Sequence, residues 1–350
     1  MNRDTMTPME RVLTTLSHKE ADRVPFFLFP TLHGAKELKL SIKEYFSQPS
    51  NVFEGQMILR EKYRHDCLYG FYYGPAEIEP WGGEVIFIEN GPPNSGRPFL
   101  QSTTDIEKMP VPNISDHSGL QRVLKTIEMM KEEVKDEVPI IGVAISPFSL
   151  PVMQMGFDNY IDLILNNEKN FWKLMAVNQK FCIAWANAQV EAGATAICYF
   201  DPLSSPTMVP RNLYLKTGYK IAKDTIAEIK SATAIHMASG LSLPIAADKL
   251  IETGTGAIGV STDEPLTELK AAYKNKLTVI GNLNGIEMRR WNAAETEKKV
   301  KTAIQQAGEG GGFILSDHHG EIPYQVPDKV LKNISDAVFK YGYYPVNKEL

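Results

Sequence analysis

Short apolar runs, each followed by an amphipathic stretch, recur along most of the chain. The clearest is Val138 to Ile145. A run that does not alternate with polar residues marks a strand buried on both faces, as in a parallel sheet. Ala194 to Phe200, Thr233 to His236, Ala257 to Val260, Leu277 to Ile280 and Phe313 to Leu315 repeat the pattern. Helical periodicity fills the intervals over 169–192, 213–231, 246–253, 266–273 and 293–307, and Asp328 to Tyr341 closes the series. The N-terminal end opens in the same way. Thr7 is placed to cap a helix with Pro8 at its first position, Val12, Leu13 and Leu16 form its apolar face, and Val24 to Phe29 reads as the first strand.

The texture differs between these two parts. Residues 41–65 read as helices, with Ser50 capping the second. Residues 66–104 are rich in Gly, Pro and aromatics, and Glu84 to Glu89 alternates as a strand does, so this stretch reads as an antiparallel excursion beside the main fold. Tyr72 and Tyr73 within it either line an apolar pocket or pack in the core. A Pro-rich linker over 105–115 leads to a helix from Leu120 to Lys135.

Strands alternating with helices at this spacing imply parallel βαβ units. About seven or eight such units favour a closed barrel over an open doubly wound sheet. The expected fold is α/β, a TIM (β/α)8-type barrel with an N-terminal helical segment and a small antiparallel insertion. It is expected to span 1–350 as one domain, the insertion lying at about 66–115. No GxGxxG follows the first strand and no Walker-type loop occurs, which disfavours a nucleotide-binding architecture.

Composition narrows the partners. At 350 residues the chain is long for an ordinary domain and normal for a barrel with insertions. With 43% hydrophobic and 23% charged residues it is ordinary for a soluble protein, and no window has the roughly 18 apolar residues of a membrane helix. A net charge of -5 gives no reason to expect nucleic acid or an anionic membrane as partner. Cys67, Cys182 and Cys198 have no paired spacing, and the N-terminus is polar, so a reduced cytoplasmic setting is expected.

Candidate chemistry gathers at strand ends. In a barrel of this kind the C-terminal strand ends form the active-site face. His236 ends one strand, before Ser239-Gly240, and Asp317-His318-His319-Gly320 ends another. An imidazole there can serve as a base, a substrate donor or a metal ligand, or can be a core histidine bonded to backbone. Asp201, Asp263, Asn282 and Asn284 also fall at strand ends, where Asp and Asn serve equally as helix caps and turn formers. His33, in the loop after the first strand, reads as a solvated loop residue or a weak candidate for cofactor binding. Two imidazoles and a carboxylate suit zinc, which accepts His nitrogen and carboxylate oxygen. Asp201 would be its third ligand, a base or a substrate clamp.

The order and spacing of several motifs resemble a known superfamily, uroporphyrinogen decarboxylase and the corrinoid-dependent methyltransferases that share its barrel. They are Asp22-Arg23-Val24-Pro25, Ser146-Pro147-Phe148, Ala192-Gly193-Ala194, Phe200-Asp201-Pro202, His236, Gly281-Asn282-Leu283 and His319-Gly320-Glu321-Ile322-Pro323. The resemblance runs from Met9 to Tyr341. In the decarboxylases an Arg-rich loop after the first strand grips the substrate's carboxylates. Here that loop, Phe29 to Ala35, has no Arg, and a polyanionic tetrapyrrole needs cationic clamps. The stretch Asp201 to Met208 is similar instead to the Asp-Pro-x-Ala-Ser stretch of the methyltransferases. In their thiol-methylating members a His-x-Cys pair and a distant Cys hold zinc. His236 matches that His, Ala238 stands in the Cys position, and His319, or else His318, corresponds to the distant Cys.

A His and carboxylate centre is a harder Lewis acid than a thiolate centre, and suits an ether-like leaving group better than a thiol. The resemblance therefore implies zinc-assisted methyl transfer between a small methylated donor or acceptor, such as a methoxylated compound, and a corrinoid carried by a separate protein. It assigns Asp201, His236 and His319 as catalytic and zinc-binding, with His318 as a further candidate ligand. His33, Asn282 and Asp317 are placed at the cofactor. A metal-free decarboxylase and a catalytically degenerate barrel are the competing readings, and a homodimer is left open.

Overall fold

A computed structural model of the protein describes residues 3–204, 208–231, 233–237, 247–318 and 320–346; the side chains of Thr233, Ala234, His236, Met237 and Ala247 lie outside that description. Among the described residues ten strands occur in chain order: β1 (Phe26–Phe27), β2 (Leu68–Tyr69), β3 (Val85–Ile88), β4 (Gly91–Ser95), β5 (Ile140–Ile145), β6 (Ala196–Phe200), β7 (Thr233–Met237), β8 (Ala257–Gly259), β9 (Thr278–Asn284) and β10 (Phe313–His318). Eight form one sheet in the order β1-β10-β9-β8-β7-β6-β5-β2, whose neighbouring strands run parallel. Helices fill the connections, as the parallel crossover demands. This is the TIM-type barrel that the apolar runs predict.

The two ends of the sheet, β1 and β2, meet through Asp66. Its backbone N–H donates to the Phe26 carbonyl at 2.9 Å, and its carboxylate accepts from the Phe26 N–H at 2.9 Å. That carboxylate also accepts from Arg11 and Arg23, all three side chains being almost fully buried. Arg11 and Arg23 reach on to Asp22 and Asp4, so one ion network clamps the N-terminal helix, β1 and β2. The opposite border of β2 is patched by side chains. β2 pairs with β5 only as far as Ile141. Above that point Gln189 bonds the N–H and carbonyl of Val143, and the Glu77 carboxyl accepts from the Ile145 N–H. Burial pushes the Glu77 carboxyl well above the usual range, which favours its neutral form there.

The barrel interior holds Phe27, Ile141, Ala196, Cys198, Ile235 and Ile314 in one apolar cluster. The helix Pro8–Leu16 lies across the N-terminal end, where Val12 joins that cluster and Leu16 packs on it. Thr7 caps this helix in a capping box with Glu10.

Several expectations need correction. The antiparallel insertion is smaller than 66–115: the hairpin is β3–β4 alone, and Leu68–Tyr69 is a barrel strand. Two residues carry no readable period, so β2 is visible only through its partners. The stretch over 105–115 is not plain linker, since a helix spans Thr103–Lys108 and a 3-10 turn Ile114–Asp116. Pro49 opens the helix Pro49–Tyr63 and Gln48 precedes it, so Ser50 lies inside. The helix expected over 213–231 is broken at Thr217 into Arg211–Lys216 and Gly218–Ile226. Tyr72 and Tyr73 are core residues, the Tyr72 hydroxyl bonding Thr126. The three cysteines are buried and unpaired. Among the described residues no helix is long and apolar enough to cross a membrane.

Candidate active site

The C-terminal strand ends surround a mouth walled by aromatic rings. The Phe29 ring lies 4.3 Å from that of Tyr69, tilted by 34°, and 5.4 Å from that of Phe71. Phe71 and Phe200 are only half-buried and pack on the interior cluster. β6 and β10 occupy opposite positions in the eight-strand order, yet the chain after β10 reaches across to β6. The Phe200 ring stands 3.8 Å from where a Cβ on Gly320 would sit, and Gly320 has the positive φ (82°) that permits the turn. In register, Phe200 pairs with Met237 and Tyr199 with His236. The residues adjoining His236 and His319 therefore meet at one mouth. His319 itself, and the His236 side chain, fall outside the described residues.

His318 ends β10 in register with Asn284 and is buried. Alternation from Ile314, an interior residue, sets it on the interior face of the strand. Asp317 and Glu321 tie the loop after β1 to this end. The Phe29 N–H donates to the Asp317 carboxyl at 3.2 Å and the Leu32 N–H to Glu321 at 2.6 Å. Burial pushes each carboxyl up to about 8. Asp317 thus sits at the mouth as a brace between β1 and β10. His33 is a correction: it is fully buried in the helix His33–Leu38, with Nε2 at 3.2 Å from the Pro323 carbonyl. Burial, with Lys36 second, pulls its pKa down to about 4.

Asp201 is fully buried, and its Oδ1 accepts from the hydroxyls of Ser146 (2.5 Å) and Ser149 (2.8 Å). Its charge also acts on Tyr160, Cys182 and Tyr214, which belong to the surrounding helices. It braces the ends of β5 and β6 against that layer. Asn282 spends its amide on the carbonyls of Ser261 and Glu264, at 2.8 and 3.1 Å. Asn284 accepts from the N–H groups of Ile286 and Glu287 and shapes the turn after β9. The Asp263 N–H donates to the Ser261 hydroxyl within the loop after β8.

Among the described residues no three His, Cys, Asp or Glu side chains form a metal-holding group. The fit of zinc rests on donor chemistry. Imidazole nitrogen is a donor that zinc accepts, and His318 is the buried imidazole among the described strand-end residues. The Asp201 carboxylate, held by two serines, has the hydrogen-bonded setting that orients a ligating carboxylate or fixes the strand ends around it. Residues that sequence reasoning passed over are Ser146 and Ser149 as partners of Asp201, Glu321 as the second neutral carboxyl, and Phe200 opposite Gly320. Ser146 and Glu321 stand in motifs already singled out, and their partners appear only in three dimensions.

Comparison with known proteins identifies the family. The sequence profile of the family described as Uroporphyrinogen decarboxylase (URO-D) matches residues 7–341. The chain is 26% identical to the methylcobamide:CoM methyltransferase MtbA of Methanosarcina acetivorans, over 96% of its own length and 99% of the relative's. It is 26% identical to the uroporphyrinogen decarboxylase of Actinobacillus pleuropneumoniae, over 71% of its own length and 72% of the relative's. A methyltransferase structure from Methanosarcina mazei superposes with a TM-score of 0.85 at 19% identity, covering 96% of this chain and 99% of that one. A B12-independent methionine synthase from Shewanella superposes less closely, with a TM-score of 0.55 at 12% identity over 85% and 89% of the two chains. The two superpositions speak to the fold. The chain belongs to the uroporphyrinogen decarboxylase (URO-D) family, and its match along the whole of a methylcobamide:CoM methyltransferase supports a place in the corrinoid-methyltransferase branch.

Proposed function

We propose that the protein is a methyltransferase that moves a methyl group, with the help of zinc, between a small methylated compound and a corrinoid held by a separate protein. Methyl-transfer activity itself has the support of the full-length relatives. The observation that supports the finer reading is the meeting of Gly320, which follows His319 in the chain, with Phe200, which pairs with Met237 next to His236. In this reading His236 and His319 hold the metal, with Asp201 or His318 completing the donor set. When bound, zinc supplies a Lewis acid for the heteroatom from which the methyl group departs.

The protein's own residues do the rest. Phe29, Tyr69, Phe71 and Phe200 offer an apolar, aromatic wall against which a methoxylated ring stacks with its bulk water displaced. Asp317 and Glu321, in their neutral forms, hold the loop after β1 closed on β10. Asp201 fixes the β6 end through Ser146 and Ser149, so that the groups near His236 keep their distance from β10. The corrinoid protein docks over the mouth.

The loop after β1 supports methyl transfer over decarboxylation. It has no Arg, its His33 is buried, and Lys36 donates to the carbonyls of Tyr324 and Val326. The deciding measurement is metal content of the wild type, His236→Ala and His319→Ala, followed by demethylation of methoxylated compounds with a corrinoid protein present. Near-stoichiometric zinc, lost in both variants while the fold persists, is the expected result. A wild type without zinc even after its addition would overturn the metal-assisted mechanism, and release of carbon dioxide from a tetrapyrrole would put the decarboxylase reading first. Asp201→Asn separates its two roles, since only the loss of a ligand lowers the metal content.

A further inference from the structure

The N-terminal side of the barrel carries a second recess, formed where the ion network around Asp66 reaches the surface. It has a volume of about 750 Å3 and is bordered by Arg3, Arg60, Arg64 and His65, together with Phe339 and Tyr343. It shares no lining residue with the mouth described above. The carboxylates Asp4 and Asp66, which also border it, are already engaged. Asp66 accepts from Arg11, Arg23 and the Phe26 N–H, and Asp4 pairs with Arg11 and Arg23 and accepts from the Tyr343 hydroxyl.

Three guanidinium groups remain outside that network. Arg3 lies over the Tyr343 ring at 4.4 Å. Arg64 lies over the Phe339 ring at 3.7 Å, and among the described residues its one carboxylate contact is a solvent-exposed 3.3 Å pairing with Asp336, which Lys332 shares. Arg60 has a buried Nε with no hydrogen-bond partner among the described residues. Asp66 and Glu137 act on its charge, yet desolvation outweighs them and its pKa lies below the ordinary arginine value. His65 is 1% exposed, and its Nε2 likewise has no partner among the described residues. Glu61 is the one lining carboxylate outside the network, and Asp336 is the carboxylate that meets Arg64 at the rim, so Arg3, Arg60 and Arg64 face two carboxylates.

We propose that this recess is a binding site for a phosphate-class oxyanion, with Arg60 as its central ligand and Arg3 and Arg64 closing over it. A guanidinium that borders a recess with donors in excess of its carboxylate acceptors gains hydrogen bonds from a bound oxyanion. Guanidinium forks match phosphate oxygens two at a time, and three of them suit a dianion better than a single carboxylate. The aromatic rings of Phe339 and Tyr343 hold Arg64 and Arg3 in place for that purpose. Because the site joins the N-terminal segment, the helix Pro49–Tyr63 and the C-terminal helix Asp328–Tyr341, an occupied site also tightens the closure of β1 on β2.

The test is titration of the full-length protein with inorganic phosphate, read by calorimetry and by melting temperature, against chloride at equal ionic strength. Saturable binding that raises the melting temperature, weakened at least tenfold in Arg60→Gln and also weakened in the surface variant Arg64→Gln, is expected. Lys299→Gln, in a separate groove on the other face, should bind as the wild type does. A phosphate monoester that binds more tightly than phosphate would mark an organic ligand, and equal binding would mark the free ion; both support the site. The absence of a saturable response beyond chloride, or full binding in Arg64→Gln together with Arg60→Gln, would overturn it.

Discussion

Gly320 and Phe200 touch across the width of the barrel, the ring standing 3.8 Å from where a Cβ on the glycine would sit. The glycine holds φ at 82°, a conformation that costs an L-residue about 1 kcal/mol or more. Gly320→Ala is therefore expected to lose about 1 kcal/mol of stability in urea melts, and to reduce methyl transfer by more than that loss explains, because His319 precedes it. Wild-type turnover in a destabilised Gly320→Ala would show that the turn does not position the site.

Closure of the barrel depends on a buried pair. Arg23 meets Asp66 through Nη1–Oδ2 at 2.7 Å and Nη2–Oδ1 at 2.8 Å, both side chains being nearly inaccessible. Removing one partner of such a pair leaves buried charge uncompensated, which costs about 3–5 kcal/mol. Asp66→Ala strands two arginines at once. Its urea midpoint should fall accordingly, and a loss below 1 kcal/mol would mean that the β1–β2 seam stands without it.

The aromatic wall predicts a split in kinetic constants. Phe71 is half-buried at the mouth, so Phe71→Ala should leave the melting temperature within a few degrees of wild type. For an aromatic methyl ether the KM should rise roughly fivefold, in keeping with about 1 kcal/mol for a ring contact. Equal KM values in the two proteins would remove this wall from substrate binding.

Acid stability should report on His33 and His65. Burial lowers the first to about 4 and the second to about 3, with Lys36 and Arg60 adding to it. An unfolded imidazole takes up its proton near pH 6.5, as the ordinary value implies, while the folded ring stays neutral. The unfolded state thus binds more protons between about pH 6.5 and 4, and stability falls as pH falls through that window. His33→Gln should flatten this part of the stability curve by on the order of 2–3 kcal/mol at pH 4, relative to pH 7. An unchanged slope would place a charged His33 in the folded protein.

Asn282 separates cofactor binding from architecture. Its side-chain amide holds the carbonyls of Ser261 and Glu264, joining the ends of β8 and β9. Asn282→Ala leaves two acceptors without that donor and should cost about 1–2 kcal/mol in a denaturant melt. If Asn282 bound cofactor instead, the variant would melt as the wild type does and lose affinity for the corrinoid protein.

How far the sequence determined this protein depends on the range of the interaction. Non-alternating apolar runs such as Val138 to Ile145 identified parallel strands, because a strand covered on both faces has no polar side to show. Thr7 and Pro8 defined the start of the first helix for an equally local reason, since a cap acts within one turn. The ordered motifs from Asp22 to Pro323 identified the family, and strand-end chemistry pointed to Asp201, His236 and the residues around His318.

Tertiary structure decided the rest. β2 has two residues and no period; it exists because β5 pairs with it and Asp66 links it to β1. His33 looks like a loop residue in one dimension, and packing against the Pro323 segment buries it. Asp201 gained its serines, and Phe200 its contact with Gly320, only when eight strands closed on themselves. Periodicity records which face of an element is buried. It carries no information about which distant segment lies against that face, and the contacts that assemble this mouth are all of the second kind.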